Sequence, residues 1–290
     1  IYQKSFNEIA LDVAYNLIGE DIPYADLKRI VDHTIQFEAP LVPIEQDIFA
    51  LELFHGPTLA FKDFGARFMS QLLGYFAQQQ DQEIVILVAT SGDTGSAVAN
   101  GFLGVAGTRV VVLYPSGKVS DIQEKQFTTL GQNITALEVS GTFDDCQQLV
   151  KEAFLNEDLR KRFFLTSANS INIARLIPQS FYYFNAYAQL KSDRPVVFSV
   201  PSGNFGNITG GLLAKRMGLP IHHFIAATNI NDVVPEYLHH GSFNPRPSRQ
   251  TISNAMDVGN PSNFVRMVEL FHHDFAALSK DISGYSFTDQ

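Results

Sequence analysis

Residues 83–102 read EIVILVATSGDTGSAVANGF. The stretch begins with a short apolar run, bends at Ser-Gly and continues with small residues that suit a helix. Residues 199–215 read SVPSGNFGNITGGLLAK and repeat that order. Each segment therefore predicts a strand, a glycine-rich turn and the start of a helix, which is the unit from which parallel sheets are built.

Apolar runs of this kind recur along the chain, as RVVVLYP (109–115), NITALEV (133–139), KRFFLTS (161–167), PVVFSVP (195–201) and HHFIAAT (222–228). They are nearly continuous in apolar residues, as expected for strands that helices cover on both faces. Between them, residues 143–156 and 173–190 have the apolar periodicity of amphipathic helices. We therefore expect an α/β protein with open parallel sheets. The chain before residue 45 is predicted to be mainly helical, and residues 36–47, with two prolines, to be a linker.

Composition limits the possible partners. The chain has 290 residues, with 21 Lys+Arg against 30 Asp+Glu and a net charge of −9. Negative charge opposes a phosphate backbone, so we expect no nucleic acid partner. The apolar runs are shorter than the ~20 residues that cross a bilayer, so we expect no membrane span. The single cysteine, Cys146, fits a reducing cytoplasm, and none of the eight histidines has metal-ligand spacing, so we expect no metal.

The two glycine-rich turns are candidate anion sites. Such a turn presents backbone N–H groups and a helix N-terminus, and its glycines allow a phosphate or carboxylate to approach closely. Ordinary helix capping by Ser and Asp is the more common explanation for either turn alone, whereas the occurrence of two such turns favours an anion site. The chain lacks GxGxxG, and SGK at residues 116–118 lacks the rest of an NTPase phosphate loop. A dinucleotide pyrophosphate is therefore not the expected anion.

Residues 51–69, LELFHGPTLAFKDFGARFM, contain a candidate nucleophile. A helix is predicted to begin near Thr58 or Leu59, which puts Lys62 in its first turn. The positive end of the helix dipole and apolar neighbours both favour a neutral amine, which a lysine needs to form a Schiff base. The alternative is a lysine that extends into solvent. Together, such a lysine and a backbone phosphate cradle are what pyridoxal phosphate (PLP) requires.

Two further motifs follow predicted strands, YPSGKVS at residues 114–120 and SANSINIAR at residues 167–175. They bring Lys118, Asn169 and Arg175 to the same edge of the sheet, where cationic and amide groups bind anions. Helix capping by Ser120 and Ser170, with solvated basic side chains, is the alternative.

These motifs also carry a resemblance to a known family. The segments FHGPTLAFKDFGARFM, ATSGDTGSAVA, YPSGKVS, SANSINIARL, VPSGNFGNITGGLLAK and SNAMDVGNPSNF occur in this order. Over about residues 20–270 the chain resembles the bacterial-type threonine synthases. The resemblance implies a fold type II (tryptophan synthase β-like) PLP enzyme with two open parallel-sheet lobes and helices on both faces. It also implies conversion of O-phospho-L-homoserine and water to L-threonine and phosphate in threonine biosynthesis, catalysed by a phosphate-eliminating carbon–oxygen lyase.

The resemblance implies roles for individual residues. Lys62 is the Schiff-base lysine, and the cofactor phosphate is held by Ser202, Gly203, Asn204, Phe205, Gly206 and Asn207. Asp93 approaches the cofactor's 3′-oxygen, where many relatives carry Asn, so we expect a proton shared there. The groups expected to bind substrate are Ser91, Gly92, Thr94, Lys118, Asn169 and Arg175. We further expect a cytoplasmic monomer.

The resemblance also implies a domain plan and a departure from it. Residues 1–40 are expected to be the remnant of a helical N-terminal region, 41–65 with 191–290 a large PLP lobe, and 66–190 a small lobe. Family members are longer at both ends, so we expect a fragment that lacks the partner of the pyridine nitrogen. Two other functions remain open: another fold type II lyase or phospholyase, and a catalytically silent relative that binds a phosphorylated ligand.

Overall fold

The computed structural model describes residues 1–79 and 82–289. The chain forms two compact units, the first made of Ile1 with Gln3–Pro178 and the second of Tyr2 with Gln179–Gln290. The helices of the described residues are α1 (Phe6–Ile18), α2 (Tyr24–Thr34), α3 (Lys62–Ala77), α4 (Asp93–Phe102), α5 (Asp121–Thr128), α6 (Phe143–Leu155), α7 (Glu157–Arg162), α8 (Ile173–Leu190), α9 (Gly206–Arg216), α10 (Val233–His240), α11 (Phe264–Leu270) and α12 (Phe275–Asp281). The strands are β1 (Leu41–Glu45), β2 (Ile48–Leu51), β3 (Ile84–Ala89), β4 (Thr108–Pro115), β5 (Ile134–Val139), β6 (Phe164–Ser167), β7 (Val196–Pro201), β8 (Ile221–Thr228) and β9 (Ile282–Ser286).

The first unit is built on a parallel sheet with strand order β5-β4-β3-β6. All six residues of β3 are buried, and they alternate between two apolar clusters. Ile84, Ile86 and Val88 pack in a cluster that includes α4 residues, whereas Val85, Leu87 and Ala89 pack in one that includes α6 residues. Helices therefore cover both faces of this sheet, as its continuous apolar strands predict. Cys146 on α6 belongs to this packing, and burial raises the pKa of its thiol.

The N-terminal part of the chain differs from its prediction at one place. Helices α1 and α2 form as expected, and a capping box between Ser5 and Glu8 starts α1. The predicted linker at residues 36–47, however, contains β1, which pairs antiparallel with β2. Pro43 lies in β1, in a two-stranded ribbon. A strand at an edge tolerates proline, which cannot donate to a ladder, so the two prolines do not exclude a strand.

The second unit contains the parallel sheet β7-β8-β9. Strand β7 leads through Ser202–Phe205 into α9, as the second glycine-rich segment predicts. The runs predicted as strands between residues 83 and 228 are all strands, which confirms the α/β class with open parallel sheets. The assignment of residues 41–65, 66–190 and 191–290 to two lobes stays a prediction. No helix among the described residues has the length and apolarity needed to span a bilayer.

Candidate active site

Lys62 is the first residue of α3, so the prediction that it lies in the first helical turn is confirmed. The helix begins later than the expected Thr58 or Leu59, because Leu59 has a φ of 59° and cannot be helical. A left-handed backbone is uncommon for leucine and persists only where its surroundings enforce it. The chain thus makes a tight, constrained turn immediately before the candidate nucleophile.

Asp63 holds that turn, a role that the sequence analysis did not predict. Its carboxylate accepts hydrogen bonds from the Thr58 backbone N–H at 2.9 Å and the Thr58 hydroxyl at 2.7 Å. Burial raises the pKa of Asp63, while the hydrogen bonds from Thr58 act in the opposite direction. The signal that could have indicated this contact is the presence of Thr58 and Asp63 five residues apart, on either side of Leu59 and Lys62. Such a local contact fixes where the Lys62 side chain starts.

The first glycine-rich turn joins β3 to α4, at the carboxyl end of the sheet strand. Thr90 is buried, and its hydroxyl accepts hydrogen bonds from the N–H groups of Gly92 at 2.9 Å and Gly95 at 2.7 Å. Gly92 has a φ of 140°, a conformation that L side chains rarely adopt. Ser91, Gly92, Asp93 and Thr94, which were predicted as site residues, therefore lie on one rigid turn.

Lys62 and Asp93 come together across the first unit. The Lys62 Nζ donates to Asp93 Oδ2 at 2.8 Å, and the two side chains are only 17% and 23% exposed. The Lys62 ammonium also lies 5.2 Å from the centre of the Phe61 ring. Apolar neighbours alone were expected around this amine, but the structure adds an anionic partner. The two residues most central to the predicted chemistry are thus in direct contact.

Gln123 on α5 completes this arrangement and was not predicted. Its side-chain amide donates to Asp93 Oδ1, and its Oε1 accepts from the Ser120 hydroxyl at 2.9 Å. A Cβ at Gly92 would meet the end of the flexible Gln123 side chain, which would have to move, and the φ of 140° already disfavours any side chain at this position. Each carboxylate oxygen of Asp93 therefore has its own donor. Gln123 lies 30 residues from Asp93 in sequence, and no local pattern indicates the contact.

The remaining predicted substrate residues of the first unit differ in exposure. Lys118 is exposed on the turn after β4. Asn169 is partly buried, and its amide bridges to Ala89, accepting from its N–H at 3.4 Å and donating to its carbonyl at 3.0 Å. Arg175 is 3% exposed and donates to the Ala168 carbonyl at 2.5 Å. Burial lowers the pKa of Arg175 to about 10. Asn169 therefore supports the end of β3, next to the first turn.

The second glycine-rich turn, Ser202–Asn207, lies in the second unit between β7 and α9. Asn207 ties the turn together: its amide donates to the Pro201 carbonyl at 2.7 Å, and its oxygen accepts from the Ser202 hydroxyl at 3.2 Å. The buried Tyr183 hydroxyl donates to the Asn207 carbonyl at 2.9 Å. Phe205 adopts the left-handed region with a φ of 60° just before α9 begins. The backbone is thereby curved and held.

Both turns keep backbone donors available. Within residues 1–79 and 82–289, no hydrogen bond is donated by the N–H groups of Ser91, Asp93 and Thr94 in the first turn, or of Phe205, Gly206 and Asn207 in the second. Such groups at the start of a helix attract anions, because the helix dipole adds to their partial charge. No group of three or more potential metal ligands occurs among these described residues.

The parallel sheets, the glycine-rich turns that follow their strands and the helix-start lysine define an α/β protein of fold type II. Comparison with known proteins agrees. Residues 35–280 match the family model described as pyridoxal-phosphate dependent enzyme. The chain belongs to that family.

Individual relatives are more specific. Over 274 residues the chain is 52% identical to the threonine synthase of Escherichia coli strain K12, covering 94% of this chain and 63% of the relative. A crystal structure of threonine synthase from Escherichia coli superimposes with a TM-score of 0.92 at 48% identity, covering 99% of this chain and 67% of the other. A PLP-bound threonine synthase structure from Brucella melitensis has a TM-score of 0.91 at 39% identity, covering 99% of this chain and 68% of the other. The chain thus spans a little under two thirds of the length of the curated relative.

Proposed function

We propose that this chain is a threonine synthase that uses PLP to convert O-phospho-L-homoserine and water to L-threonine and phosphate. It would act in threonine biosynthesis as a carbon–oxygen lyase that eliminates phosphate. The observation that carries the proposal is the amine of Lys62, placed at the start of α3 and held 2.8 Å from Asp93 in the first turn. The likeness to threonine synthases of Escherichia coli and Brucella melitensis supports this reaction over others.

The residues of the chain fit the cofactor. An aldehyde needs a primary amine in a fixed position, which Lys62 offers, and a phosphate needs convergent N–H donors, which the second turn offers. A Cβ at Gly203 would lie 2.6 Å from Met256 Cα, so that position requires glycine. We assign the cofactor phosphate to the turn from Ser202 to Asn207, and the aldehyde to Lys62.

Bound PLP supplies an electron sink for negative charge that develops on substrate carbons. Lys62 would hold the cofactor and, once released from it, would move protons on the substrate. It would take protons from Cα and Cβ as the Cγ–O bond to phosphate breaks, and return protons to Cγ and Cα. Water would add its hydroxyl at Cβ, and its remaining proton would leave with the phosphate. Asp93 would share a proton with the cofactor's 3′-oxygen, and the amide of Gln123, which donates to the Asp93 carboxylate, would orient it.

The substrate carboxylate is assigned to the first turn, through Ser91, Gly92 and Thr94. The N–H groups of Ser91, Asp93 and Thr94 donate no hydrogen bond among the described residues, which supports this assignment. Lys118, Asn169 and Arg175 are assigned to the substrate phosphate. Exposure supports Lys118, whereas the assignment of Arg175 rests on its motif alone, since its side chain is buried.

The wider organisation belongs to the same proposal. Residues 41–65 with 191–290 would form the PLP lobe, and residues 66–190 the smaller lobe. The single buried cysteine supports a reducing cytoplasm as the location. We propose that the protein acts as a monomer, which sedimentation velocity of the full chain tests directly.

The activity is tested with the full chain, PLP and O-phospho-L-homoserine, by measuring threonine and phosphate together. We expect equal amounts of both products, and loss of both in Lys62→Ala. The exposed lysine of α5 supplies a control, Lys125→Ala, which should retain activity. Phosphate released without threonine would instead indicate another lyase of this fold. PLP binding with neither product would indicate a silent relative.

A further inference from the structure

The second unit contains a dense polar cluster centred on Asp257. The Oδ1 atom of Asp257 accepts hydrogen bonds from Asn229 at 2.9 Å, Asn231 at 3.2 Å and the Thr251 hydroxyl at 2.7 Å. Its Oδ2 accepts from the Thr251 N–H at 3.0 Å. The three donor residues are at most 9% exposed. A carboxylate with four donors is a strong local anchor, because hydrogen bonds to charged groups exceed neutral ones in strength.

This anchor fixes one segment of chain to the end of strand β8. Asn229 and Asn231 directly follow β8, whereas Thr251 and Asp257 belong to the irregular chain that precedes α11. Asn231 adds a pair of bonds to the backbone of Arg249, donating to its carbonyl at 2.9 Å and accepting from its N–H at 2.7 Å. We call residues 251–263 the support segment. It includes the SNAMDVGNPSN motif, for which the proposed reaction has no role so far.

The support segment contacts the second glycine-rich turn at two places. Beside the anchor, the backbone of Ala255 and Met256 lies against Gly203, where a Cβ would come within 2.6 Å of Met256 Cα. At the far end, Ser262 donates to the Asn204 side-chain oxygen from its N–H at 2.6 Å and from its hydroxyl at 3.0 Å. The turn is thus held on the side of its first residues by a segment that Asp257 fixes.

We propose that Asp257 is a positioning residue for phosphate binding: it fixes the support segment, which presets the turn from Ser202 to Asn207 before the phosphate arrives. This inference rests on the proposed function, because it takes that turn as the PLP phosphate site. Preset N–H donors bind an anion more tightly than donors that must first be ordered, since binding then costs no reorganisation. The hydrogen bonds of the Asp257 carboxylate go to Asn229, Asn231 and Thr251, none of which belongs to the turn.

Comparison of two ligands distinguishes a positioning role from a general effect on stability. Pyridoxal has the aldehyde and ring of PLP but lacks the phosphate, so a defect confined to the phosphate turn weakens PLP binding and leaves pyridoxal binding unchanged. A general loss of structure weakens the binding of both ligands. The readout is the dissociation constant of pyridoxal divided by that of PLP, both measured by absorbance titration of the full chain. This measurement does not require turnover.

The main variant is Asp257→Asn, which keeps the side-chain shape and replaces one acceptor by a donor facing other donors. We expect its PLP affinity to fall at least about tenfold, the effect of losing a charged hydrogen-bond acceptor, with pyridoxal affinity unchanged. Asp274→Asn is the matched control, because Asp274 only caps α12 in the same unit. Ser262→Ala removes one donor to Asn204 at an exposed position, and should lower the same ratio less.

Two outcomes would overturn the inference. Equal weakening of PLP and pyridoxal binding in Asp257→Asn would make Asp257 a structural residue only, and unchanged affinity for both ligands would remove its role altogether. If Asp257→Asn does not fold, Ser262→Ala decides by the same ratio. Failure of the proposed function shows differently: the unsubstituted chain would then fail to prefer PLP over pyridoxal, and the inference would fall with it.

Discussion

The two glycine-rich turns share a backbone plan and differ in charge. Each begins with Ser-Gly after a parallel strand and ends in a helix. At the third position the first turn has Asp93, bonded to Lys62 and Gln123, whereas the second has Asn204, which accepts from Ser262. One helix start thus carries an anion and a lysine partner, and the other carries a neutral amide.

The difference suits the two turns to the different roles proposed for them. A carboxylate at a helix N-terminus already occupies part of the favourable potential there, so the turn with Asp93 is suited to a proton-sharing partner beside Asp93 and, through its N–H groups, to a singly charged carboxylate rather than to a phosphate. The turn with Asn204 leaves that potential to an incoming anion. Side-chain charge, rather than the glycine pattern, therefore separates the two proposed roles.

Adding a charge to the second turn breaks this distinction most directly. Asn204→Asp keeps the acceptor for Ser262 but puts a carboxylate beside the proposed phosphate site. Two unit charges about 4 Å apart repel by ~4 kcal/mol at an effective dielectric constant of ~20, so PLP affinity should fall at least about a hundredfold. Absorbance titration with PLP and with pyridoxal measures it.

The reverse change provides the control. Asp93→Asn adds no negative charge and lies in the first turn, so the preference for PLP over pyridoxal should stay as in the unsubstituted chain. A similar loss of that preference in both variants would show that the two turns do not differ in the way proposed.

Gly203→Ala tests the steric side of the second turn. The new Cβ would lie 2.6 Å from Met256 Cα, so backbone must shift. Overpacking of this kind costs about 1–3 kcal/mol of unfolding free energy, and PLP affinity should fall with it. Denaturant unfolding and PLP titration measure the two effects.

Gly218→Ala is its comparison, since Gly218 has a φ of 97° and a Cβ added there would meet no atoms within 4 Å. It should lose stability through backbone strain and keep its preference for PLP over pyridoxal. Gly203→Ala with normal PLP affinity would argue against close packing as a requirement of this turn.

Gln123→Met examines the support of the first turn. It removes the amide that donates to Asp93 Oδ1 while keeping an unbranched side chain of similar length. The unfolding free energy should fall by about 1 kcal/mol, the usual net value of a hydrogen bond. Gln148→Met removes an exposed hydrogen bond to Glu152 on α6, so it should change the unfolding free energy little. Equal effects of the two substitutions would mean that Gln123 does not specifically support Asp93.

Asp145 offers a contrast to Asp93, because it caps a helix and has no lysine partner in its capping box. Hydrogen bonds from the Thr142 hydroxyl and N–H lower the pKa of Asp145. Its stabilisation is therefore present above the unfolded-state pKa of about 3.9 and lost as pH falls through the lowered folded-state pKa. Asp145→Asn should be less stable than the unsubstituted chain at pH 7, with the difference vanishing in acid. Urea unfolding at several pH values checks this, and a pH-independent difference would contradict it.

Sequence patterns predicted those features that depend on neighbours along the chain. The apolar run of β3 predicted its burial, and the Gly-Pro break at residues 56–57 placed Lys62 in a first helical turn. They missed contacts between distant segments. The residues that neighbour Gln123 in sequence do not indicate that its side chain contacts Asp93. Those that neighbour Asp257 do not indicate that its carboxylate accepts four hydrogen bonds.

The error at residues 36–47 has a similar origin. Two prolines lowered the expectation of a strand, but β1 pairs only with β2 in a two-stranded ribbon, where a missing donor costs little. The role of Arg175 stays a prediction: its motif predicts a cation at the sheet edge, and the sequence did not indicate that its side chain would be buried.

The central claim is that Lys62 is the amine that attaches PLP. The direct measurement is to mix the full chain with PLP, reduce with borohydride and locate the modified peptide by mass spectrometry. We expect one stoichiometric modification, at Lys62, which disappears in Lys62→Ala. Modification at a different lysine, or none, would contradict it.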